Sequence, residues 1–479
     1  MKFKFVPFRS LSKFAYLRLG LGYELPEIKY PYTNLTNCIK NYESGKRPSG
    51  GINYLDYGQV LSLGGEQIGK DGFVDLNNMP FVSYDFYDKQ KKGRVKDKDI
   101  LLCKDGALTG KSCIVYKDDI DYDQVLINEH VFRIQSNDRI SQVFLFYLMQ
   151  LPLFKLQIKD LAFKKKGQPG LNQDHMKALK IPDVPFEIQL LFEEKISPIE
   201  KEIRELKSHI VNMNEVITDI FNDYFSYDKE GFKEQRDIRV YNVPFNYLGN
   251  NRDIRFSARF HRPSGYFVLE ELLRRPHIKI KKCLSLPMIT GQGISTSDYD
   301  YNGEYVYVSM ADICSWELDI DEIEHVSDEY AESNLSKRPK GYSEQVSTEI
   351  KVNDILMMRS GEGGIGKVAI VKDDIKGIFC DFIIRMRFDE TVINPDFAYF
   401  YFRSNYFQYL VEINKKGLGN NTNIFPNQVQ EFPIPYLSLD EQQVIVDRVN
   451  VELNRQHEIA KAIKAKQEKI TRILNELIM

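Results

Sequence analysis

The sequence predicts an α+β protein built as a tandem duplication, two mixed strand-and-helix units each followed by a long heptad helix. The first observation behind this is an internal repeat. Asp99-Ile-Leu-Leu-Cys-Lys-Asp-Gly106, Gly110-Lys111 and Lys117-Asp-Asp-Ile120 return as Asp354-Ile-Leu-Met-Met-Arg-Ser-Gly361, Gly366-Lys367 and Lys372-Asp-Asp-Ile375. Lys165-Lys166-Gly167 returns as Lys415-Lys416-Gly417, and Ile181-Pro182 with Gln189 as Ile434-Pro435 with Gln442. Four landmarks in one order, at offsets of 250 to 256 residues, mark a duplicated unit of roughly 200 residues. The second observation is a sustained a/d spacing after each Ile-Pro stop. The third is length: 479 residues and 55.9 kDa exceed what one hydrophobic core organises.

Within each unit, Ser112-Cys-Ile-Val-Tyr116 and Val368-Ala-Ile-Val371 read as short half-buried strands bounded by Gly and Asp. The aromatic stretches Val143–Leu148 and Phe397–Phe402 read as core helices. Ser44-Gly-Lys-Arg-Pro-Ser-Gly-Gly51 and Thr290-Gly-Gln-Gly-Ile294 are glycine-rich turns able to approach a ligand backbone. The closing helices follow. Ile196, Ile199, Ile203, Leu206, Ile210, Met213, Ile217 and Ile220 alternate spacings of three and four; so do Val446, Val449, Leu453, Gln456, Ala460, Ile463, Gln467, Ile470, Leu474 and Leu477. Such a pattern argues for a supercoiled seam, either between the two helices or against their own domains. At about 1.5 Å per residue each helix is roughly 40–50 Å long. Pro198 is expected to break the first helix or make it start nearby, and Gln456 and Gln467 trade seam stability for register.

Composition narrows the function. Apolar residues at 43% and charged residues at 28% describe a globular chain. Six cysteines without a CxxC suit reduced thiols better than a disulfide scaffold or zinc knuckle. No run of eighteen apolar residues suggests a bilayer span, and the N-terminus lacks the apolar core of a secretory signal. Net charge is only −3, but residues 1–180 hold 28 Lys and Arg against 20 Asp and Glu, whereas 241–440 hold 22 against 28. The acidic run Glu317–Glu332 should face away from any polyanion.

Several catalytic motifs are imitated. Gly361-Glu-Gly-Gly-Ile-Gly366-Lys367 begins like a phosphate-cradling loop, but Val368 replaces the magnesium-binding hydroxyl and a strand replaces the required helix. Pro182-Asp183 with Glu193-Glu194-Lys195 imitates a nuclease signature, yet the Glu and Lys belong to a heptad helix. Asn394-Pro395-Asp396-Phe397 faintly resembles a methyltransferase loop and reads better as a helix cap. The seven histidines show no ligand spacing, so no catalytic or metal residue is assigned.

The remaining chemistry is that of recognition. Lys164, Lys165, Lys166, Gln168, Asn172 and Gln173 in one unit, and Lys415, Lys416, Asn420, Asn421 and Asn423 in the other, combine cations with amides on glycine-bearing loops. Lysines anchor phosphates, while Asn and Gln can bond an adenine edge bidentately. Lys104, Lys111, Arg359, Ser360 and Lys367 lie at the repeated strand–loop–strand, and Lys46, Arg47 and Gln292 in the glycine-rich openings.

The doubled D-I-L…G…GK segment, K-G loop, I-P…Q junction and heptad helix together resemble the specificity subunit of type I restriction–modification enzymes, over nearly the whole chain. That resemblance implies two tandem mixed α/β target-recognition domains, pseudo-two-fold related and separated by two long conserved helices forming an antiparallel coiled coil. The expected division is 1–186 and 229–437 for the domains, the latter with a linker, and 187–228 and 438–479 for the helices. It further implies a non-catalytic subunit reading a bipartite double-stranded DNA target, one domain per half-site. Two DNA methyltransferase subunits and the restriction/motor subunits would assemble around it in the cytoplasm, with no membrane. S-adenosylmethionine, ATP and magnesium are then expected only in those partners. The family's P-P-L-x-E-Q junction survives as Asp440-Glu441-Gln442, but Glu187-Ile188-Gln189 loses the E-Q pair. Glu202, Arg204, Glu205, Lys461, Lys464 and Lys466 are expected to face partner helices. Two other classes stay open: a stand-alone nuclease or NTPase, and a coiled-coil scaffold binding protein.

Overall fold

The computed structural model describes residues 25–479 apart from 49–57, 59, 70, 77–78, 163–168, 239, 250–254, 315, 319, 321–322, 340–342, 362–363 and 418–420. The chain divides into two compact units, Met1–Ile210 with His457–Met479, and Val211–Gln456.

In the first unit a four-stranded sheet runs in the order Ile39–Ser44, Val131–Ser136, Ile100–Cys103, Ser112–Ile114, every neighbour antiparallel. A second sheet holds Phe81–Val82, Val60–Leu63 and Gln124–Ile127, the last two parallel, and Tyr32–Asn34 pairs with Lys180–Pro182. The second unit repeats this order: Leu284–Thr290, Ile383–Phe388, Ile355–Met358, Val368–Ile370; then His325–Val326, Tyr305–Val308, Gly377–Phe379; then His277–Lys279 with Pro433–Pro435. Register repeats too, Ile100 facing Ile114 as Ile355 faces Ile370. The duplication seen in the landmarks is therefore a duplication of topology.

The hairpin strands of each four-stranded sheet, Ile100–Cys103 with Ser112–Ile114 and Ile355–Met358 with Val368–Ile370, are buried on both faces, which is why they are nearly continuous apolar runs. In the first unit, Ile100, Leu102 and Ile114 meet the aromatic helix Gln142–Gln150, while Leu101, Cys103 and Cys113 meet the smaller sheet. In the second, Ile355 and Met357 meet Pro395–Arg403, while Leu356 and Met358 face the other side. Asn394 does cap that helix, its Oδ1 accepting the Asp396 N–H at 2.9 Å with Pro395 in the first turn.

The junction glutamines explain how each closing helix is fastened. Gln189 Oε1 accepts the Ser141 N–H at 2.8 Å, and its Nε2 donates to Arg139 O and Val184 O at 3.1 and 2.8 Å. Gln442 Oε1 accepts the Asn394 N–H at 2.7 Å, and its Nε2 donates to Val392 O and Leu437 O at 3.2 and 3.0 Å. Both are fully buried and spend their amides on the start of the aromatic helix. The first junction keeps this geometry without the E-Q pair.

Two expectations for the helices are corrected. Pro198 neither breaks nor starts the first helix, which spans Phe186–Ser208 with the proline inside it. Pro198 and Glu194, whose carbonyl loses its donor, both lie on the exposed face, where solvent meets the freed group. Nor is 187–228 one helix: His209–Asn212 interrupts it, and Asn212 caps a new helix, Met213–Phe225, through the Asn214 N–H at 3.0 Å. Ile210 falls in the interruption and is 42% exposed, so it is no seam residue, and Met213 is only half-buried.

Elsewhere the heptad positions lie in the core of each unit. In the first, Ile196, Ile199, Ile203 and half-buried Leu206 pack with Ile463, Ile470 and Leu474 of the C-terminal helix Leu439–Ile478. In the second, Ile217 packs with Val446, Val449 and Leu453. The sense there is antiparallel, since Val211 meets Gln456 while Asp223 meets Arg448 and Tyr224 meets Glu441. Gln467 leaves the seam to donate to Asp71 O at 2.6 Å. Three positions expected to face partners are engaged inside the first unit: Glu202 pairs with Lys466, and Arg204 binds Asp119 at 3.0 Å while covering the Tyr116 ring. Glu200, on the inner face, receives the Tyr116 and Tyr147 hydroxyls, each at 2.9 Å, tying the helix to the sheet and the aromatic helix. Burial pushes its carboxyl above the usual range. Among the described residues no helix is long and apolar enough to cross a membrane.

Candidate nucleic-acid interface

In each unit the repeated D-I-L…G…GK segment is an antiparallel hairpin rather than a nucleotide loop. Gly106 and Gly110 have φ of +79° and +94°, Gly361 and Gly366 of +85° and +89°, left-handed values that favour glycine. Cys103 N and Gly110 N close the first turn on Lys111 O and Cys103 O at 2.8 and 2.9 Å; Met358 N and Gly366 N close the second on Lys367 O and Met358 O at 2.9 and 2.8 Å.

Each hairpin tip is hydrogen-bonded to the far end of the lysine–glycine loop. Leu171 N donates to Lys104 O at 2.6 Å and Gly106 N to Pro169 O at 3.1 Å; Ile424 N donates to Arg359 O at 2.9 Å and Gly361 N to Thr422 O at 3.1 Å. On the other side Lys104 N reaches His130 O and Arg359 N reaches Phe382 O, both at 2.9 Å. The structure thus gathers segments that lie about sixty residues apart in sequence into one matched backbone frame per unit.

The glycine-rich openings join the neighbouring strand by close approach. A Cβ on Gly45 would stand 1.7 Å from Ile127 O, and one on Gly291 1.7 Å from Phe379 O. Gly291→Ala is accordingly expected to destabilise the second unit by at least about 1–3 kcal/mol through overpacking. Gly106→Ala meets nothing within 4 Å and should cost only the left-handed backbone strain, about 1 kcal/mol. Thermal unfolding of the two variants checks the order.

Side chains differ where backbone does not. In the first unit Lys104 Nζ donates to Ser44 Oγ at 3.1 Å above the Phe132 ring, and Asp105 Oδ1 meets His130 Nδ1 at 2.6 Å. Asn172 caps the short helix Gln173–Ala178, accepting the His175 N–H at 2.9 Å. Lys46 is exposed, Arg47 pairs with Glu129 at 2.6 Å, and Lys111 is half-buried. In the second unit Arg359 donates from Nε to Asp381 O at 2.6 Å and from Nη1 to Asn423 Oδ1 at 3.3 Å. Its guanidinium lies near the rings of Phe382 and Phe425, both partly exposed. Ser360 is buried, Gln292 and Lys367 half-buried, and Asn421 exposed. Lys416 and Asn423 exchange backbone bonds at 2.7 Å. Lys415 is withdrawn from the surface, its ammonium 2.5 Å from Glu412, so it presents no charge to a ligand. Lys164, Lys165, Lys166, Gln168 and Asn420 lie outside the described residues.

Residues that sequence reasoning missed include Phe382 and Phe425, which flank Arg359, and Arg255, which donates to Asn414 O and Lys415 O at 3.1 Å and holds the turn. Only the fold brings them to the loop.

Two copies of one frame, each presenting a cation-bearing hairpin tip beside an amide-rich loop, define a tandem recognition protein. The chain belongs to the type I restriction modification DNA specificity domain family, whose model matches residues 38–212 and again 286–469. It is a DNA sequence-recognition protein of a restriction system. Among solved structures it is similar to an S subunit of a type I restriction-modification system from M. genitalium, at 12% identity over 97% of this chain and 98% of that one, TM-score 0.39. It is also similar to the HsdS subunit from Thermoanaerobacter tengcongensis, at 13% identity over 95% and 96%, TM-score 0.30. A third similarity is to a chain from a structure of type I R-M complex assembly and conformational transition, at 13% identity over 95% and 99%, TM-score 0.35. Superpositions this loose add no geometric argument to the family match. No curated protein matches the chain.

Proposed function

We propose that the chain is the non-catalytic reader of a bipartite double-stranded DNA target, each unit engaging one half-site through its hairpin tip and adjoining loop. What supports this is one backbone frame carrying two sets of side chains: Lys104, Asp105, His130 and Asn172 in the first unit stand where Arg359, Ser360, Phe382 and Phe425 stand in the second. A frame that keeps its hydrogen bonds while its tip varies suits the reading of different base sequences. Lys46, Lys104, Lys367 and Lys416 are the proposed phosphate anchors, and Asn172, Gln173, Gln292, Arg359, Asn421 and Asn423 the proposed base-edge readers. The exposed faces of the helical segments 186–225 and 439–478 then dock two methyltransferase subunits, which hold S-adenosylmethionine. The restriction subunits, joined through them, supply the ATP and magnesium chemistry.

A mobility-shift assay with the partner methyltransferase tests this. The shift is expected on DNA carrying the motif methylated in the host genome and not on DNA lacking it. Magnesium-dependent cleavage or ATP hydrolysis by the purified chain alone, abolished in Lys367→Ala, would overturn it in favour of a stand-alone enzyme.

A further inference from the structure

Behind the first hairpin lies a cavity of about 380 Å³ that the recognition frame does not use. Its wall includes Gly110, Lys111 and Ser112 from the hairpin, Gln150 from the aromatic helix, and Lys155 and Lys159 from the next helix, Pro152–Ala162. Three lysines therefore border one pocket, and among the described residues no carboxylate lines it. Among the described residues none of the three lysines has an ion-pair partner, although such pairs are common elsewhere in the chain. Lys155 and Lys159 stand four residues apart on one helix, a like-charge spacing that destabilises a helix unless an anion lies between them. Lys155 is exposed, yet partial desolvation by its neighbours holds its ammonium below the ordinary lysine value. Hydroxyl and amide groups complete the wall, with Gln150 Nε2 donating to Ser112 Oγ at 2.9 Å.

The second unit provides an internal comparison. A Cβ on Gly110 would meet Ile158, and one on Gly366 would meet Val411 and Gln408, so Ile158 and Val411 occupy equivalent places. Counting from them, Lys155 corresponds to Gln408 and Lys159 to Glu412, while Ser112 corresponds to Val368. Gln408 Nε2 is spent on Gly366 O at 2.8 Å, and Glu412 pairs with Lys415 and Arg259 at 2.5 and 3.6 Å. By the same count Gln150 corresponds to Arg403, so the same fold carries three lysines at this place in one unit, and Lys367 and Arg403 with the ion-paired Glu412 in the other. Packing the hairpin against the helix does not require the lysines.

We propose that this pocket is a phosphate-binding site peculiar to the first unit, gripping a phosphate group without reading a base. The group belongs either to the DNA backbone bordering that unit's half-site, a source that rests on the recognition reading above, or to a free polyphosphate. The excess of 28 basic over 20 acidic residues in 1–180 favours the same ligand class.

The test uses the full chain, its methyltransferase partner, and K155Q/K159Q, which keeps helical propensity and leaves the hairpin tip untouched. Inorganic tripolyphosphate is titrated calorimetrically into wild type and variant, and target-DNA affinity is measured from low to high salt. For a DNA phosphate, the variant's slope of log K against log salt should fall by about 1–2, at ~0.9 per phosphate contact, with base preference unchanged. For a free polyphosphate, wild type binds tripolyphosphate, the variant does not, and the salt slope is unaltered. Equal slopes together with equal or absent tripolyphosphate binding overturn the pocket. Failure of wild type to prefer any DNA target overturns the recognition reading instead, leaving the calorimetric arm to decide the pocket.

Discussion

Replacing Ile289 with glutamate is expected to stabilise the second unit, and replacing Glu43 with isoleucine to destabilise the first by about 3–5 kcal/mol. The reason is a charge cluster that the duplication kept in one copy and half lost in the other. In the first unit Arg133 faces Glu43 directly across the strands, bonding it at 2.7 Å, and reaches Asp99 at 2.9 Å, with Gln135 Nε2 on the other Asp99 oxygen at 2.9 Å. In the second, Arg387 occupies Asp354 at 2.7 Å, while Arg385 faces Ile289. Arg385 is 0% exposed, and all three of its nitrogens lack a hydrogen-bond partner among the described residues.

Burial pushes Arg385 down to about 10, so it still carries its charge at neutral pH. An unpaired buried charge is among the most costly features a core can hold. Arg385→Met, which removes the charge, and Ile289→Glu, which pairs it, are therefore each expected to raise stability by about 1–4 kcal/mol. The double variant should fall below Arg385→Met alone, because its glutamate is then the orphan. Trp316 is the chain's single tryptophan and lies in the second unit, so its fluorescence during guanidinium unfolding reads that unit selectively; a lower midpoint for Ile289→Glu contradicts the argument. Acid should act on the first unit's cluster. Burial alone would raise the Glu43 carboxyl, but the Gly93 N–H and the Arg133 guanidinium together hold it below its usual value. Its contribution is thus complete above the ordinary carboxylate range and lost as pH falls through the depressed value.

How much of this was legible in the sequence follows from what each feature depends on. The duplication was readable because its landmarks, the hairpin glycines and junction glutamines, do backbone work: Gly106, Gly110, Gly361 and Gly366 need left-handed φ, and Gln189 and Gln442 satisfy buried peptide groups. The heptads were readable as pattern but not as continuity. The a/d rule places Ile210 in the seam, yet the Asn212 side chain can end one helix and begin another without disturbing the period. Pro198 misled in the opposite direction, because its cost depends on which face it occupies. The Arg359 surroundings were not legible, since Asp381, Phe382, Asn423 and Phe425 converge on it only through tertiary packing. Nor was the defect at Arg385, which appears only once strand register sets Arg133 against Glu43 but Arg385 against Ile289.

Arg359→Ala is expected to weaken target binding by about 1–3 kcal/mol and to relax base preference in one half-site alone. Its guanidinium is held at Nε and Nη1 by Asp381 O and Asn423 Oδ1 and lies near two partly exposed aromatic rings. A fork fixed in this way before DNA arrives loses little rotamer freedom on binding, so its free edge can meet a guanine edge at small entropic cost. Arg359→Lys separates charge from geometry. It keeps a phosphate-attracting cation and should leave the salt slope nearly unchanged, yet it lacks the planar fork and should lose base preference about as fully as alanine. Lys104→Ala, at the matched place in the first unit, removes only a point charge steadied by Ser44. It should weaken binding evenly across sequences and lower the salt slope by about 1. Competition binding with targets altered in each half, together with methylation mapping in cells, distinguishes these outcomes. If Arg359→Ala relaxed both halves equally, one unit could not be the reader of one half-site.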